Sequence, residues 1–387
     1  MRERRRRTGR SAALTAALAL ITGTALLAGG VAVTRAADDG DGGEGRRGTG
    51  GSGGPKAPFT VAFGGDVHFE GILRTRLASS PDTALGPVAE RLKAADLAMV
   101  NLETAITTGG TPAPKQFTFR APPTALRALR SAGVDVATLA NNHGMDYGMT
   151  GLNDTLATGR QAGFPLVGIG RNAAEAYRPY TATVKGAKVA IIGATQVLDD
   201  HLAEAWSATD AKAGMASAKN VPRLVQAVLA ARRSADVVIV NLHWGQELNA
   251  CATPVQRQLA AQLADAGADA VVGGHAHVLQ AGGYLRGTYV HYGLGNFVFY
   301  NSGGRTAQTG VLTLTFDPRR AGPDASGGTG GAGGAGGAGA TRVVGADWAP
   351  AVIDGGVPRP LSGAEAQAAR TRWESLRSCA DVRPGPS

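Results

Sequence analysis

A layered α/β domain with a mixed sheet is the fold class that this sequence predicts. Short, almost continuous apolar runs recur between residues 59 and 277, as expected for strands covered by helices on both faces. Ala/Leu-rich stretches of helical length alternate with them. From Gly282 onward the pattern changes to short β-rich runs, which reads as an antiparallel layer.

The folded region opens near Phe59, where FTVAFGGD reads as a strand ending in a Gly-Gly-Asp turn. A helix near Pro87–Ala94 leads into the strand DLAMVNLE, residues 96–103. The helix PTALRALRSAG (123–133) precedes the strand VDVATLANNH (134–143), and KVAIIGAT (188–195) supplies a further strand. Next come the helix VPRLVQAVLAARRS (221–234) with the strand ADVVIVNLHWG, and the helix PVQRQLAAQLADAG (254–267) with the strand ADAVVGGHAH. The antiparallel layer is expected from RGTYVHYGLGNFVF, GVLTLTFDP and TRVVGADWAPAVI, residues 286–299, 310–318 and 341–353. SGGTGGAGGAGGAGA (326–340) cannot form a packed core and reads as a surface loop expansion. GAEAQAARTRWESLRSCA (363–380) predicts a C-terminal helix with Trp373 and Leu376 facing the body.

Of 387 residues, 43% are hydrophobic, too many for a disordered chain, and two cysteines are too few for a disulfide-rich miniprotein or a four-cysteine zinc site. The formal charge of +9 invites a nucleic-acid reading, but +5 of it lies in residues 1–10 and only +3 in residues 36–387. No nucleic-acid partner is expected. Ser11–Thr34 contains no charged residue and follows an Arg block, so residues 1–37 read as a signal peptide or a signal anchor. Residues 38–57 are nearly free of apolar side chains and read as a flexible linker, leaving 58–387 as the folded domain. That address is extracytoplasmic, membrane-anchored or secreted. In an oxidising compartment Cys251 and Cys379 are expected to pair and tie the C-terminal tail to the body.

Polar residues cluster at the ends of the predicted strands. His68, His143, His243, His275 and His277 all lie just past a strand, as do Asp66, Asn101, Glu103, Asn142 and Asp146. Ligands of open α/β sheets bind outside the carboxyl ends of the strands, so five such ends would converge on one place. A set of His, Asp, Glu and Asn without Cys suits Mn, Fe, Zn or Mg. Two such divalent ions would acidify bound water and clamp a phosphoryl oxygen.

The motifs GGDVH (64–68), NLET (101–104), NNHGMD (141–146), HWGQE (243–247), GGHAH (273–277) and GLGNF (293–297) resemble, in this order, the CapA family of bacterial capsule and poly-γ-glutamate biosynthesis proteins. That family is itself similar to the calcineurin-like metallophosphoesterases, and the resemblance spans about residues 59–316. It implies an α/β/β/α sandwich with mixed sheets and a dinuclear metal site. By that resemblance Asp66, His68 and His277 bind the first ion, and Asn142, His243 and His275 bind the second. His143 would be the acid near the leaving group, with Asp146 orienting it. Where the superfamily places a bridging Asp, this chain has Glu103, which bridges both ions or serves one. Asn101, Asn141, Trp244, Glu247 and Asn296 are candidate substrate contacts, with packing the competing reading for Trp244. The implied partners are an anionic polymer or phosphoester substrate, membrane-bound capsule-synthesis proteins, and the membrane itself if the N-terminal segment is retained. Three functions fit: a metal-dependent hydrolase of capsule assembly, a non-catalytic accessory subunit of a membrane polymer-synthesis complex, or a general secreted metallophosphoesterase.

Overall fold

The computed structural model describes residues 55–300, 302–322 and 341–386. The expected export segment 1–37, most of the linker 38–57 and the Gly-rich stretch 326–340 lie outside the described residues.

In chain order the first half contains β1 (Phe59–Val67), α1 (Ile72–Ser79), α2 (Ala89–Lys93), β2 (Leu97–Leu102), β3 (Ala105–Ile106), β4 (Arg120–Ala121), α3 (Thr124–Ser131), β5 (Val136–Thr138), α4 (Gly148–Ala162), β6 (Leu166–Val167), β7 (Ile169–Gly170), α5 (Ala173–Ala176), β8 (Tyr180–Val184) and β9 (Ala187–Thr195). The second half adds α6 (Asp200–Trp206), β10 (Gly214–Met215), α7 (Val221–Arg232), β11 (Val237–His243), α8 (Pro254–Asp265), β12 (Ala270–Gly274), β13 (Gly282–Leu285), β14 (Thr288–His291), β15 (Asn296–Val298), β16 (Gln308–Phe316), β17 (Val343–Asp354), β18 (Val357–Pro360) and α9 (Gly363–Ser375).

One sheet has the order β18-β17-β16-β1-β2-β5-β6, with β15 also paired to β1. A second has the order β13-β14-β12-β11-β9-β8, and β10-β7 and β3-β4 form two small two-stranded sheets. Both large sheets mix parallel and antiparallel pairs. Alternate side chains of each strand point to opposite faces, and this period builds the layers. Val61, Phe63, Leu97 and Met99 of one sheet meet Val189, Ile191, Val237 and Ile239 of the other in a shared core. Ala62, Ala98 and Val100 turn outward against Leu73, Leu92, Leu126 and Leu152 of α1–α4. Ile192, Val238 and Val240 turn outward against Leu224 and Val228 of α7 and Leu259 and Leu263 of α8. The result is an α/β/β/α sandwich. Helix α9 places Trp373 in the core between the sheets, and Leu376 beyond it packs against the same core.

The C-terminal β layer is more mixed than its sequence predicts. β16, β17 and β18 do form an antiparallel run. β14, however, pairs parallel with β12, and β15 pairs parallel with β1. The stretch 144–187, for which the sequence pattern predicts no element, holds α4 and the edge strands beside it. α4 carries several glycines and threonines, which blur its apolar stripe.

β1 changes neighbour midway, from β16 at Phe63 to β15 at Asp66. Gly65 permits this switch: a Cβ there would lie 2.0 Å from the Gly295 carbonyl oxygen. The same shift aligns Asp66 with Asn101 on β2 and Asn296 on β15.

Candidate functional site

The carboxyl ends of β1, β2, β5, β11 and β12 meet at one end of the sandwich. Asp66 and Glu103 are both fully buried there. Asn101 Nδ2 donates to Asp66 Oδ1 at 2.7 Å and lies 3.0 Å from His243 Nδ1. The His275 backbone N–H donates to Asp66 Oδ2 at 3.1 Å. Gly274 leaves room for this contact, because a Cβ at that position would stand 2.4 Å from Asp66 Oδ1.

His243 Nε2 faces Asn142 Oδ1 at 2.8 Å, His275 Nδ1 at 3.1 Å and Glu103 Oε1 at 3.4 Å. His277 Nδ1 lies 2.8 Å from Asn296 Oδ1 and 3.6 Å from Asp66 Oδ2. One ligand atom each from Glu103, His275 and His277 falls within 4.8 Å of the others. His275 and His277 both have positive φ, 91° and 56°, a conformation that costs free energy in non-glycine residues.

The donor set fits a cation. Both carboxylate oxygens of Glu103 are buried without a hydrogen-bond partner. Burial, and then the charge of Asp66, push its carboxyl well above the usual range. Burial likewise holds the imidazoles of His68, His143 and His275 well below their ordinary value and His243 at about 3, so all four are neutral lone-pair donors. His277 differs: burial opposes its charge, but Glu103, Asp66 and the bond to Asn296 outweigh burial and raise it.

His143 Nδ1 lies 2.6 Å from Asp146 Oδ2, which also accepts from the Phe119 backbone N–H. The buried amine of Lys115 lies 2.9 Å from Asp146 Oδ1 and 3.4 Å from His143 Nδ1, and donates to the Asn142 carbonyl at 2.5 Å. Asp199 stands 3.7 Å away, and the Trp206 ring lies beneath the amine. Burial raises Asp146 to about 7 against the pull of Lys115.

His68 lies outside the close group of ligand atoms: its Nδ1 accepts from the Glu70 N–H at 3.0 Å. Its ring stacks on Phe119, which stacks in turn on His143, and Phe299 and Tyr300 meet it edge-on. Asn101 and Asn141, expected as substrate contacts, are buried and spent on internal bonds. Asn141 Nδ2 donates to Asn101 Oδ1 and to the Leu102 carbonyl, and Asn141 Oδ1 accepts from the His143 N–H. Asn296 orients His277 and donates to the Thr306 carbonyl. Trp244 is fully buried, stacks on Tyr292 and donates to its carbonyl, as the packing reading expects. Glu247 is exposed, and its charge reaches His243 and His277. Lys115, Phe119 and Asp199 carry no sequence signal, because none directly follows one of the apolar runs that mark strands.

The Cys251–Cys379 disulfide is present and ties the segment after α9 to the loop that follows Glu247.

The sequence profile of the bacterial capsule synthesis protein family PGA_cap matches residues 60–301. The chain belongs to this family. The PGA biosynthesis protein CapA of Bacillus subtilis is 30% identical over 268 residues, 65% of this chain and 66% of that protein. The capsule biosynthesis protein CapA of Bacillus anthracis is 34% identical over 189 residues, 48% of this chain and 45% of that protein. A Mycobacterium tuberculosis protein named as a probable polyglutamine synthesis accessory protein is 33% identical over 232 residues, covering 58% of this chain and 61% of that one. The chain thus spans between about half and two thirds of these PGA_cap relatives. A phosphatase from Mycoplasma pneumoniae superposes with a TM-score of 0.47 at 14% identity, over 78% of this chain and 95% of that one. A 5'-nucleotidase from Candida albicans gives 0.39 at 10% identity, over 82% and 58%. With scores this low, the fold class rests on the layers and strand order above.

Proposed function

We propose that this PGA_cap chain works outside the cytoplasm in capsule or poly-γ-glutamate assembly, as a metal-dependent hydrolase with a phosphoesterase-like centre. The observation that carries this reading is Glu103. Two buried carboxylate oxygens without hydrogen-bond partners, close to the neutral imidazoles of His243 and His275, support a cation site over a packed core. Asp66, Glu103, Asn142, His243, His275 and His277 would hold divalent ions, two if His68 turns inward to complete the set. Bound there, such ions supply Lewis acidity and an activated water.

The chain's own residues do the rest. Asp66 fixes the His275 backbone, and Asn101 fixes Asp66 and His243 together. Asp146, raised to about 7 by burial, would carry the proton it shares with His143 Nδ1, so that the neutral imidazole is protonated at Nε2, passes that proton to a leaving group and recovers one from Asp146. Lys115 locks Asp146 and the Asn142 carbonyl in place.

A second reading keeps the cation and drops the turnover: an accessory subunit that presents metal or polymer to a membrane synthase. The name of the mycobacterial relative favours it. The test is metal analysis of the full-length chain, followed by assay on p-nitrophenyl phosphate, bis-p-nitrophenyl phosphate and a γ-glutamyl oligomer. Bound divalent metal with turnover lost in Asp66→Ala and His275→Ala supports the enzyme. Bound metal without turnover supports the accessory role. A chain that takes up no divalent ion ends both readings.

A further inference from the structure

The parallel strands β9, β11, β12 and β14 of the second sheet begin at the end of the sandwich opposite the site. A cavity of about 560 Å³ opens there, walled by Lys56, Lys188, Arg232, Arg233 and Arg342 together with Asp236. Behind it the fully buried Asp269 accepts from Arg232 Nη1 at 2.6 Å and Arg342 Nη1 at 2.9 Å. One carboxylate therefore balances two guanidiniums, and the buried Nε of Arg342 has no acceptor. Lys56 pairs with Asp236 at 2.6 Å. Lys188 and Arg233 are exposed and form no ion pair among the described residues. Five cations thus face two carboxylates. The carbonyl end of α7, at Arg232, offsets less than one unit of that excess.

We propose that this basic face docks the domain on an anionic phospholipid surface, with lipid phosphates seated in the cavity. The chain's own course selects this occupant. The described chain begins at this face: Lys56 is part of the cavity wall, and the Ala57 N–H donates to the Lys185 carbonyl at 3.1 Å. Upstream lie the polar stretch 38–57 and the uncharged run 11–34. Twenty residues reach at most about 70 Å even when fully extended, so a retained anchor would keep this face within that distance of the bilayer. Clustered Lys and Arg are attracted to anionic leaflets within a Debye length. The candidate site lies at the other end of the strands, so docking turns it away from the bilayer and toward the polymer outside. The inference rests on the extracytoplasmic reading above, with the N-terminal run retained as an anchor.

The test uses the full-length chain with one fluorophore, on Ser234→Cys at the basic face or on Thr150→Cys at the site end. Cys251 and Cys379 are bonded to each other, so only the introduced thiol is labelled. Each protein is reconstituted into phosphatidylglycerol/phosphatidylcholine vesicles and into phosphatidylcholine vesicles, both with a headgroup-attached quencher. The Ser234→Cys label is expected to be quenched in anionic vesicles only, and the Thr150→Cys label in neither. The double variant K188E/R233E should reduce the docked population about tenfold, and so should about 1 M salt, where the Debye length is about 3 Å. Docking is overturned by equal quenching in both vesicle types, by full quenching in the double variant, or by preferential quenching of the Thr150→Cys label. The last result would instead turn the site, with its exposed Phe117 and Leu248, to the membrane. The anchor reading fails separately, if the chain does not float with neutral vesicles.

Discussion

Asp269 and Glu103 are both fully buried carboxylates, one just before β12 and the other just after β2. Asp269 accepts from two arginines and from the Val238 N–H. Glu103 has no hydrogen-bond partner at either oxygen. The two lie at opposite ends of the same pair of sheets. A buried acid that serves the fold is surrounded by donors, because desolvating a charge without compensation is costly. A buried acid left bare keeps its proton, unless a ligand from outside the chain compensates its charge.

The largest expected effect tests the first half of this contrast. Asp269→Ala strands two part-buried guanidiniums and should lower the unfolding free energy by about 3–5 kcal/mol, read from urea denaturation. Glu103→Gln should do the reverse in chelator, holding stability equal or raising it. With a divalent ion at about a thousand times its Kd, the parent chain should gain about 4 kcal/mol, and Glu103→Gln should not. Thermal scans with and without metal separate the cases. If chelated Glu103→Gln is as damaged as Asp269→Ala, Glu103 is a structural acid and the contrast collapses.

A second experiment asks how far the site depends on distant fastening. The disulfide joins Cys251 to Cys379. Gln280 Nε2 donates to the Asn249 and Cys251 carbonyls, and the Leu248 N–H donates to the Ala276 carbonyl between His275 and His277. One bridge therefore steadies the loop after His243 and the loop that carries His275 and His277. Replacing both cysteines by serine should cost about 2–5 kcal/mol of stability. It should also weaken metal binding by about tenfold, measured by titration calorimetry, since outlying contacts orient the ligands. Unchanged affinity with lowered stability would restrict the bridge to a staple.

The two ends also differ in how legible they were. The site end was announced by polar residues placed directly after apolar runs, a pattern that follows from strand geometry alone. His275-Ala276-His277 after the run AVVGG is the plainest case. What sequence could not give was each side chain's commitment. Asn141 and Asn296 look like substrate contacts, yet their amides are used up on Asn101, Leu102 and His277. Trp244 sits inside a motif but fills the core against Tyr292. Lys115 reaches the site from a Thr/Pro/Gly loop whose course no periodicity encodes. The basic end left even less trace. Its cations come from widely separated positions between Lys56 and Arg342, and only the fold gathers them. The parallel pairing of β14 and β15 was equally hidden, because short strands carry no record of their partner's direction.

A third buried polar group sharpens the contrast by belonging to neither end. His291, on β14, is fully buried and stacks on Trp373 with ring centroids 5.6 Å apart and planes 10° from parallel. Neither of its nitrogens has a hydrogen-bond partner. Unlike Glu103 it lies among aromatic rings, with no ligand set beside it, so its desolvation is a plain loss. His291→Phe keeps the ring stack and should stabilise the chain by about 1–2 kcal/mol at neutral pH. Burial holds its pKa at about 3, below the ordinary 6.5. The unfolded chain therefore binds this proton first as pH falls. The resulting stability is present above 6.5 and is lost progressively toward 3. His291→Phe should remove that part of the acid sensitivity, so the gap between variant and parent widens across this window in denaturation series at stepped pH. A gap that stays constant would mean that the imidazole finds a partner on protonation, and that an unpaired polar group in this fold is not by itself a mark of a binding site.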